Sequence, residues 1–368
     1  MSEWQEVSLE SVAQINPTES LPKGKLAKKI AMDALQPFTK TPSSYEVEPY
    51  NGGMKFKNGD TIVARITPCL ENGKTAYINL LSENEVAFGS TEYIVLREKF
   101  GVTDKQFLYY FSISPIFRDV AIASMTGSSG RQRVQTNVVK QYLFEMPSLK
   151  EQKAIASVLS SLDDKIDLLH RQNTTLERMA ESLFRQWFVE EAQEDWEVVP
   201  LGNLFEISSG KGLKKEQLSD TGLYPVLGAN GEIGKTNDFL FNEKLIFTGR
   251  VGTLGNIFRV NNEKVWLSDN TLIFRNIKYF YFVYFALNKA SLSNYNVGST
   301  QPLIRQSDVK AIEFMMPKNQ EKLIAFEAEA ELIFAKFNFN SKQIQTLEKL
   351  RDNLLPKLMS GDIRIQNG

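Results

Sequence analysis

The sequence predicts a duplicated α/β (α+β) protein: two mixed α/β globules separated by two long helices that form an antiparallel intramolecular coiled coil. Three observations predict it. Segments recur: Trp4–Ile15 (WQEVSLESVAQI) returns as Trp196–Ile207 (WEVVPLGNLFEI), Ser90–Arg97 (STEYIVLR) as Ser268–Arg275 (SDNTLIFR), and Phe107-Leu-Tyr-Tyr-Phe as Phe282-Val-Tyr-Phe. Each copy then closes on Met-Pro, at Met146-Pro147 and Met316-Pro317, and helix-forming sequence follows. Both of those stretches carry heptads in matching register. A period of roughly 170 to 190 residues is far too long for a solenoid, so the pattern is domain duplication.

The first globule, residues 1–148, reads as strands at Asp60–Ile66, Thr75–Leu80 and Glu92–Arg97, then helical sequence from Phe107 to Ser124 broken at Pro115. The first long helix occupies 149–190. Leu162, Leu169, Leu176 and Leu183 recur every seventh residue, and Leu159, Ile166, Asn173, Ala180 and Trp187 form the partner set of an a/d seam. The second globule, 191–317, repeats the series: strands at Lys244–Thr248, Asn256–Val260 and Thr271–Arg275, and a helix near Phe280–Lys289. The second long helix, 318–361, sets Ile333, Asn340, Leu347 and Leu354 against Ala330, Phe337, Ile344, Arg351 and Leu358. Pro356 predicts a kink or last-turn termination, Ser360-Gly361 a stop, and 362–368 a short tail.

Each seam holds one asparagine, Asn173 or Asn340, a polar choice that lowers stability while fixing register and partner. Two amphipathic helices packed on their own globules would show similar periodicity. The shared register in two copies favours pairing, and the intervening globule makes it antiparallel.

Composition narrows the function. With 42% hydrophobic and 24% charged residues in 368, the chain belongs with ordinary globular proteins of two or three domains. Neither a secretory leader nor an apolar run long enough to span a membrane is present. The single cysteine, Cys69, excludes an internal disulfide and suits a reducing cytoplasm. One Cys and one His, His170, argue against metal-dependent and Ser/His/Asp chemistry. The net charge of −1 argues against tight nucleic-acid binding by the isolated chain. Basic residues are nonetheless clustered: Lys23, Lys25, Lys28 and Lys29; then Arg131, Arg133 and Lys140; then Lys211, Lys214 and Lys215.

Two loops at equivalent places carry the candidate chemistry. Gly127-Ser128-Ser129-Gly130-Arg131-Gln132-Arg133 offers backbone amides, hydroxyls and two guanidinium forks. Gly298-Ser299-Thr300-Gln301, with Arg305, offers a similar set. These groups position phosphates, and Arg and Gln read base edges. A solvated turn explains any one residue equally well; the pair of loops favours nucleic acid. Lys23, Lys25, Arg65, Lys211, Asn230 and Arg250 complete the candidate set.

Two glycine patterns point elsewhere. Ala229–Thr236 (ANGEIGKT) satisfies a relaxed phosphate-loop pattern, yet no amphipathic helix follows to hold phosphates, so a hairpin is expected. Gly249-x-x-Gly252-x-x-Gly255 lacks dinucleotide-binding spacing and reads as turns. No Asn-Pro-Pro-Tyr or Asp-Pro-Pro-Tyr motif of an amino-methyltransferase occurs.

The layout resembles the DNA specificity (S) subunit of type I restriction-modification systems over essentially its full length. The resemblance rests on the duplicated openings (Trp4, Val7, Leu9; Trp196, Val199, Leu201), on Gly59–Pro68 and Gly89–Leu96, and on Pro147 with Gln152. In the second copy Pro317 and Gln320 stand closer together. It implies two target recognition domains, each reading half of a split asymmetric double-stranded DNA site. The paired helices would act as ruler and as docking surface for two modification subunits. Those subunits would carry S-adenosylmethionine, and restriction subunits would add an ATP- and Mg-dependent motor; this chain would hold no cofactor and perform no catalysis. An orphan or exchange-type specificity subunit that modulates or blocks restriction is the alternative. A stand-alone nucleotide-using enzyme and a protein-only coiled-coil adaptor are more distant competitors.

Overall fold

The computed structural model describes residues 4–365. Residues 1–3 of the first globule and 366–368 of the tail lie outside them. The chain divides into two compact units, residues 1–170 with 342–368, and residues 171–341. The division falls inside both long helices, Leu149–Arg185 and Glu321–Met359, so each unit is a globule with a stretch of both.

In the first unit, the opening strand Gln5–Ser8 pairs antiparallel with Leu143–Met146, the strand that runs into Pro147. The recurrent Trp opening and Met-Pro ending are therefore neighbours, and they close the globule at the root of the helix. A four-stranded antiparallel sheet follows the order Ala13–Ile15, Tyr93–Glu98, Thr61–Ala64, Thr75–Tyr77. A second sheet has the order Glu46–Pro49, Leu26–Ile30, Ala87–Gly89, Lys55–Phe56, with one parallel pairing. The helix Lys105–Ile113 starts where Asp104 caps it, its carboxylate accepting from the amides of Gln106 and Phe107 at 3.0 Å each. Pro115 begins the next helix, Pro115–Ala123, at a position where its missing N–H costs nothing.

The second unit repeats this frame. Glu197–Pro200 pairs with Glu313–Met316. The strands Glu206–Ser209, Thr271–Arg275, Phe241–Gly249 and Ile257–Leu267 stand in the same order as the first sheet of the other unit. Here the sheet grows to six strands, because Tyr224–Gly228 joins Ile257–Leu267 in parallel and hairpins with Gly231–Thr236. The ANGEIGKT segment is thus a hairpin, with Gly228 opposite Gly231. The two copies share one sheet and diverge in what is attached to it.

Both helices pair antiparallel within each unit. In the first, Asp163 contacts Arg351 while Ile166 and Leu169 pack on Ile344, with Leu347 beside them. In the second, Asn340 donates to Asn173 at 3.0 Å, Asn173 donates to Ser341 at 3.1 Å, and Phe184 meets Phe326. The helices also enter the globule cores: Ile155, Leu159, Leu355 and Leu358 in one, Ala180, Phe184, Phe326 and Phe334 in the other. Leu183, Ile333 and Phe337 are half-buried on the second core and Leu354 on the first, while Leu162 and Leu176 are half-buried.

The buried line also includes Asp163, Phe184 and Phe334, positions outside a strict heptad. A helix of 3.6 residues per turn drifts by about 20° per heptad, and here that drift turns each end toward its globule. Pro356 lies within the last turn and the helix runs on to Met359.

Candidate nucleic-acid interface

One corner is built twice. In the first unit the central strand Thr61–Ala64 runs out at Arg65. Arg65 donates its amide to the Glu92 carbonyl (2.9 Å) and accepts from the Val134 amide (2.9 Å). In the second unit Arg250, just beyond Phe241–Gly249, donates to the Asn270 carbonyl (2.7 Å) and accepts from the Ile304 amide (3.0 Å). Arg65 and Arg250 are therefore equivalent, as are Glu92 and Asn270, and the segments 127–133 and 298–302 are the same loop in two copies.

Backbone pairing pins each loop. Arg133 bridges both Ile66 and Thr126, and Val251 bridges Leu303. Asn296 accepts from the amides of Gly298 and Leu303 at 2.9 Å each, closing the second loop at its base. Gly130 has φ +75°, a conformation suited to glycine, and a Cβ on Gly298 would lie 1.8 Å from the Gln301 carbonyl oxygen.

The side chains at the two corners differ. Arg133 grips Glu92 with Nε at 2.9 and 3.0 Å and Nη2 at 2.7 Å. Hydrogen bonding by Arg133 holds the Glu92 carboxyl below its ordinary value, against a smaller opposing effect of burial. Arg65 Nε is buried without a hydrogen-bond partner, 4.0 Å from Glu92 Oε2. Ser128, Ser129 and Arg131 are exposed and Gln132 is half-buried. In the second unit Ser299, Thr300, Gln301 and Arg305 are exposed, and neither Arg250 nor Arg305 makes an ion pair among the described residues.

Other candidates gather around these corners unequally. Asn230, at the hairpin tip, accepts from Asn256 at 2.9 Å, which brings that tip to the loop after Arg250. Lys211 is exposed, its carbonyl accepting from the Trp266 indole at 2.8 Å. Lys23 and Lys25 are exposed in a turn bonded to Tyr50, on the other sheet of their globule. Their neighbours Lys28 and Lys29 are occupied by Glu85 and Glu48 at 3.1 and 3.0 Å, so half of that basic run is neutralised. Glu92 and Asn270 were not among the sequence candidates. Their signal was present, since they hold the same position in the recurring STEYIVLR and SDNTLIFR segments.

Among the described residues no three His, Cys, Asp or Glu side chains gather as metal ligands, and no helix is long and apolar enough to cross a membrane. The family description "Type I restriction modification DNA specificity domain" matches residues 1–178 and again 193–349. The MjaIX specificity subunit of a type I restriction enzyme from Methanocaldococcus jannaschii is 28% identical over 73% of this chain and 71% of its own. The MjaVIII specificity subunit of the same organism is 23% identical over 76% and 75%. The crystal structure of a type I restriction-modification S subunit from M. genitalium shares the fold, with a TM-score of 0.58 at 19% identity, covering 97% of this chain and 96% of that one. With two matches to one family and the same frame folded twice, the chain belongs to the type I restriction-modification DNA specificity family, a non-catalytic DNA-recognition subunit whose reactions lie in partner subunits.

Proposed function

We propose that each globule reads one half of a split, asymmetric double-stranded DNA site through the corner formed by its central-strand arginine and its Gly/Ser/Thr loop. One observation carries the reading: the same backbone corner is built twice and furnished differently, with Arg65, Glu92 and Arg133 in one copy and Arg250, Asn270 and Arg305 in the other. Shared backbone gives shared docking on phosphates, and unlike side chains give unlike base preferences. The test is to map methylated adenines in DNA from cells expressing the chain with its modification subunits. Two unlike half-sequences at fixed spacing are expected; a palindrome, or no site-specific methylation, overturns the reading.

The paired helices set the spacer. One heptad advances about 10 Å, close to three base pairs. Inserting a heptad into both helices lengthens the spacer and leaves both half-sequences unchanged, and unaltered spacing would reject the ruler. The same helices dock two modification subunits. These helices expose Met179, Leu332 and Phe339 at 51, 68 and 54%, apolar side chains available to a partner. S-adenosylmethionine, ATP and Mg belong to the partners, which act with this chain in the cytoplasm.

A further inference from the structure

We propose that Glu92 is an arginine exchange post: it parks Arg133 on non-cognate DNA, and it takes Arg65 when Arg133 leaves to read its base. This rests on the DNA-reading function above and deepens it to one positioning residue. Glu92 accepts three hydrogen bonds from Arg133, which engages both carboxylate oxygens. Arg65 approaches the same carboxylate but stops at 4.0 Å, its buried Nε unpartnered. A buried guanidinium N–H without an acceptor is costly, so Arg65 stands ready to bond Glu92 as soon as Arg133 lets go. The exchange keeps the carboxylate compensated throughout, and it leaves Arg133, 43% exposed, able to swing out from its loop.

The second copy gives the contrast. Asn270 occupies the Glu92 position, and an amide cannot neutralise a guanidinium. Leu303 holds the Arg133 place in the backbone pairing, and neither Arg250 nor Arg305 makes an ion pair among the described residues. The second globule offers Arg250 and Arg305 to any phosphate, whereas the first withholds Arg133. The exchange therefore assigns sequence-independent grip mainly to the second globule and conditional contact to the first.

The experiment uses the full chain co-purified with its modification subunits, and a fluorescein-labelled random-sequence 40-base-pair duplex as probe. Affinity is measured across a salt series for wild type, Glu92→Gln, Glu92→Asp, Arg133→Gln and Asn270→Glu. Freeing Arg133 adds a phosphate contact, so Glu92→Gln steepens the slope of log affinity against log salt by about 0.9, or about twice that if Arg65 is freed too. Glu92→Asp retains the wild-type slope. Arg133→Gln relaxes the sequence preference at one half-site in methylation mapping and leaves the other half-sequence as in wild type. Asn270→Glu makes the slope shallower by about 0.9, and this arm does not depend on how well Glu92→Gln folds. Unchanged slopes in both Glu92→Gln and Asn270→Glu would overturn the exchange. Failure of the wild-type complex to bind or methylate DNA would instead overturn the function on which it rests.

Discussion

Replacing Arg351 with Met should cost the first unit more than any surface change. Arg351 and Asp163 are 9 and 3% exposed and meet at 2.8 Å between the two long helices. The Tyr110 hydroxyl donates to the other Asp163 oxygen at 2.6 Å, and Arg351 also reaches the Phe38 carbonyl. Burial opposes the charge on Arg351, but the hydrogen bond and charge of Asp163 outweigh it and hold the proton more firmly than usual. Removing the guanidinium leaves the carboxylate buried with a hydroxyl as its remaining polar neighbour. Breaking such a pair from one side costs about 3–5 kcal/mol. For a unit of this size, that lowers the melting temperature by roughly 6–20 °C. The double change Asp163→Leu with Arg351→Met removes both charges and should return most of the loss. Calorimetry on the four proteins of the cycle gives the coupling. A loss below about 1 kcal/mol for Arg351→Met, the range of exposed pairs, would refute the claim that the pair is desolvated and holds the helices in register.

Three further outcomes are expected. Phe184→Ala removes a ring packed on Phe188, Phe282, Phe285, Phe314 and Phe326, and thermal or urea unfolding should register a loss of about 3–5 kcal/mol. Asn173→Leu or Asn340→Leu alone leaves a buried amide short of a partner and costs about 1–3 kcal/mol; the double change is neutral or stabilising but admits shifted helix registers, detectable by cysteine cross-linking across the seam. The Arg133–Glu92 interaction is pH-dependent in a defined direction. Because the folded carboxyl titrates below its ordinary value of 4.5, the stabilisation is complete above that pH and is lost as pH falls through the lower folded value. Amide chemical shifts of Ser129 and Gly130 should titrate with a midpoint below 4.5, and Arg133→Gln should abolish that transition.

Much of the frame was legible because its signals are local. Apolar sequence from Phe107 to Ser124, broken at Pro115, announces two helices through local pattern and φ restriction alone. The heptads announced the long helices and their two asparagines. Short strands such as Leu26–Ile30, which carries two lysines, gave no alternation to read. The corner proposed to read DNA was half visible, since Arg65, Arg250 and both loops stand out by composition. Glu92 does not: its place in the recurring segment is its one mark in the sequence, and its pairing shows only once Arg133 is seen upon it.

By itself the sequence determined the duplication, the order of globule and helix, and the antiparallel sense of the seam, because repeats and periodicity are written along the chain. Tertiary structure alone decided which charges remain available. Helix Phe280–Ala290 follows Tyr279, which makes no side-chain cap, and borrows one from Glu327 of the second long helix, whose carboxylate accepts from the amides of Tyr281 and Phe282 at 3.2 and 2.8 Å. In the same way Glu92 engages Arg133 in the first globule, while neither Arg250 nor Arg305 of the second makes an ion pair among the described residues. Capping and ion pairing act through space over a few ångströms, and the partners that meet are tens of residues apart in sequence.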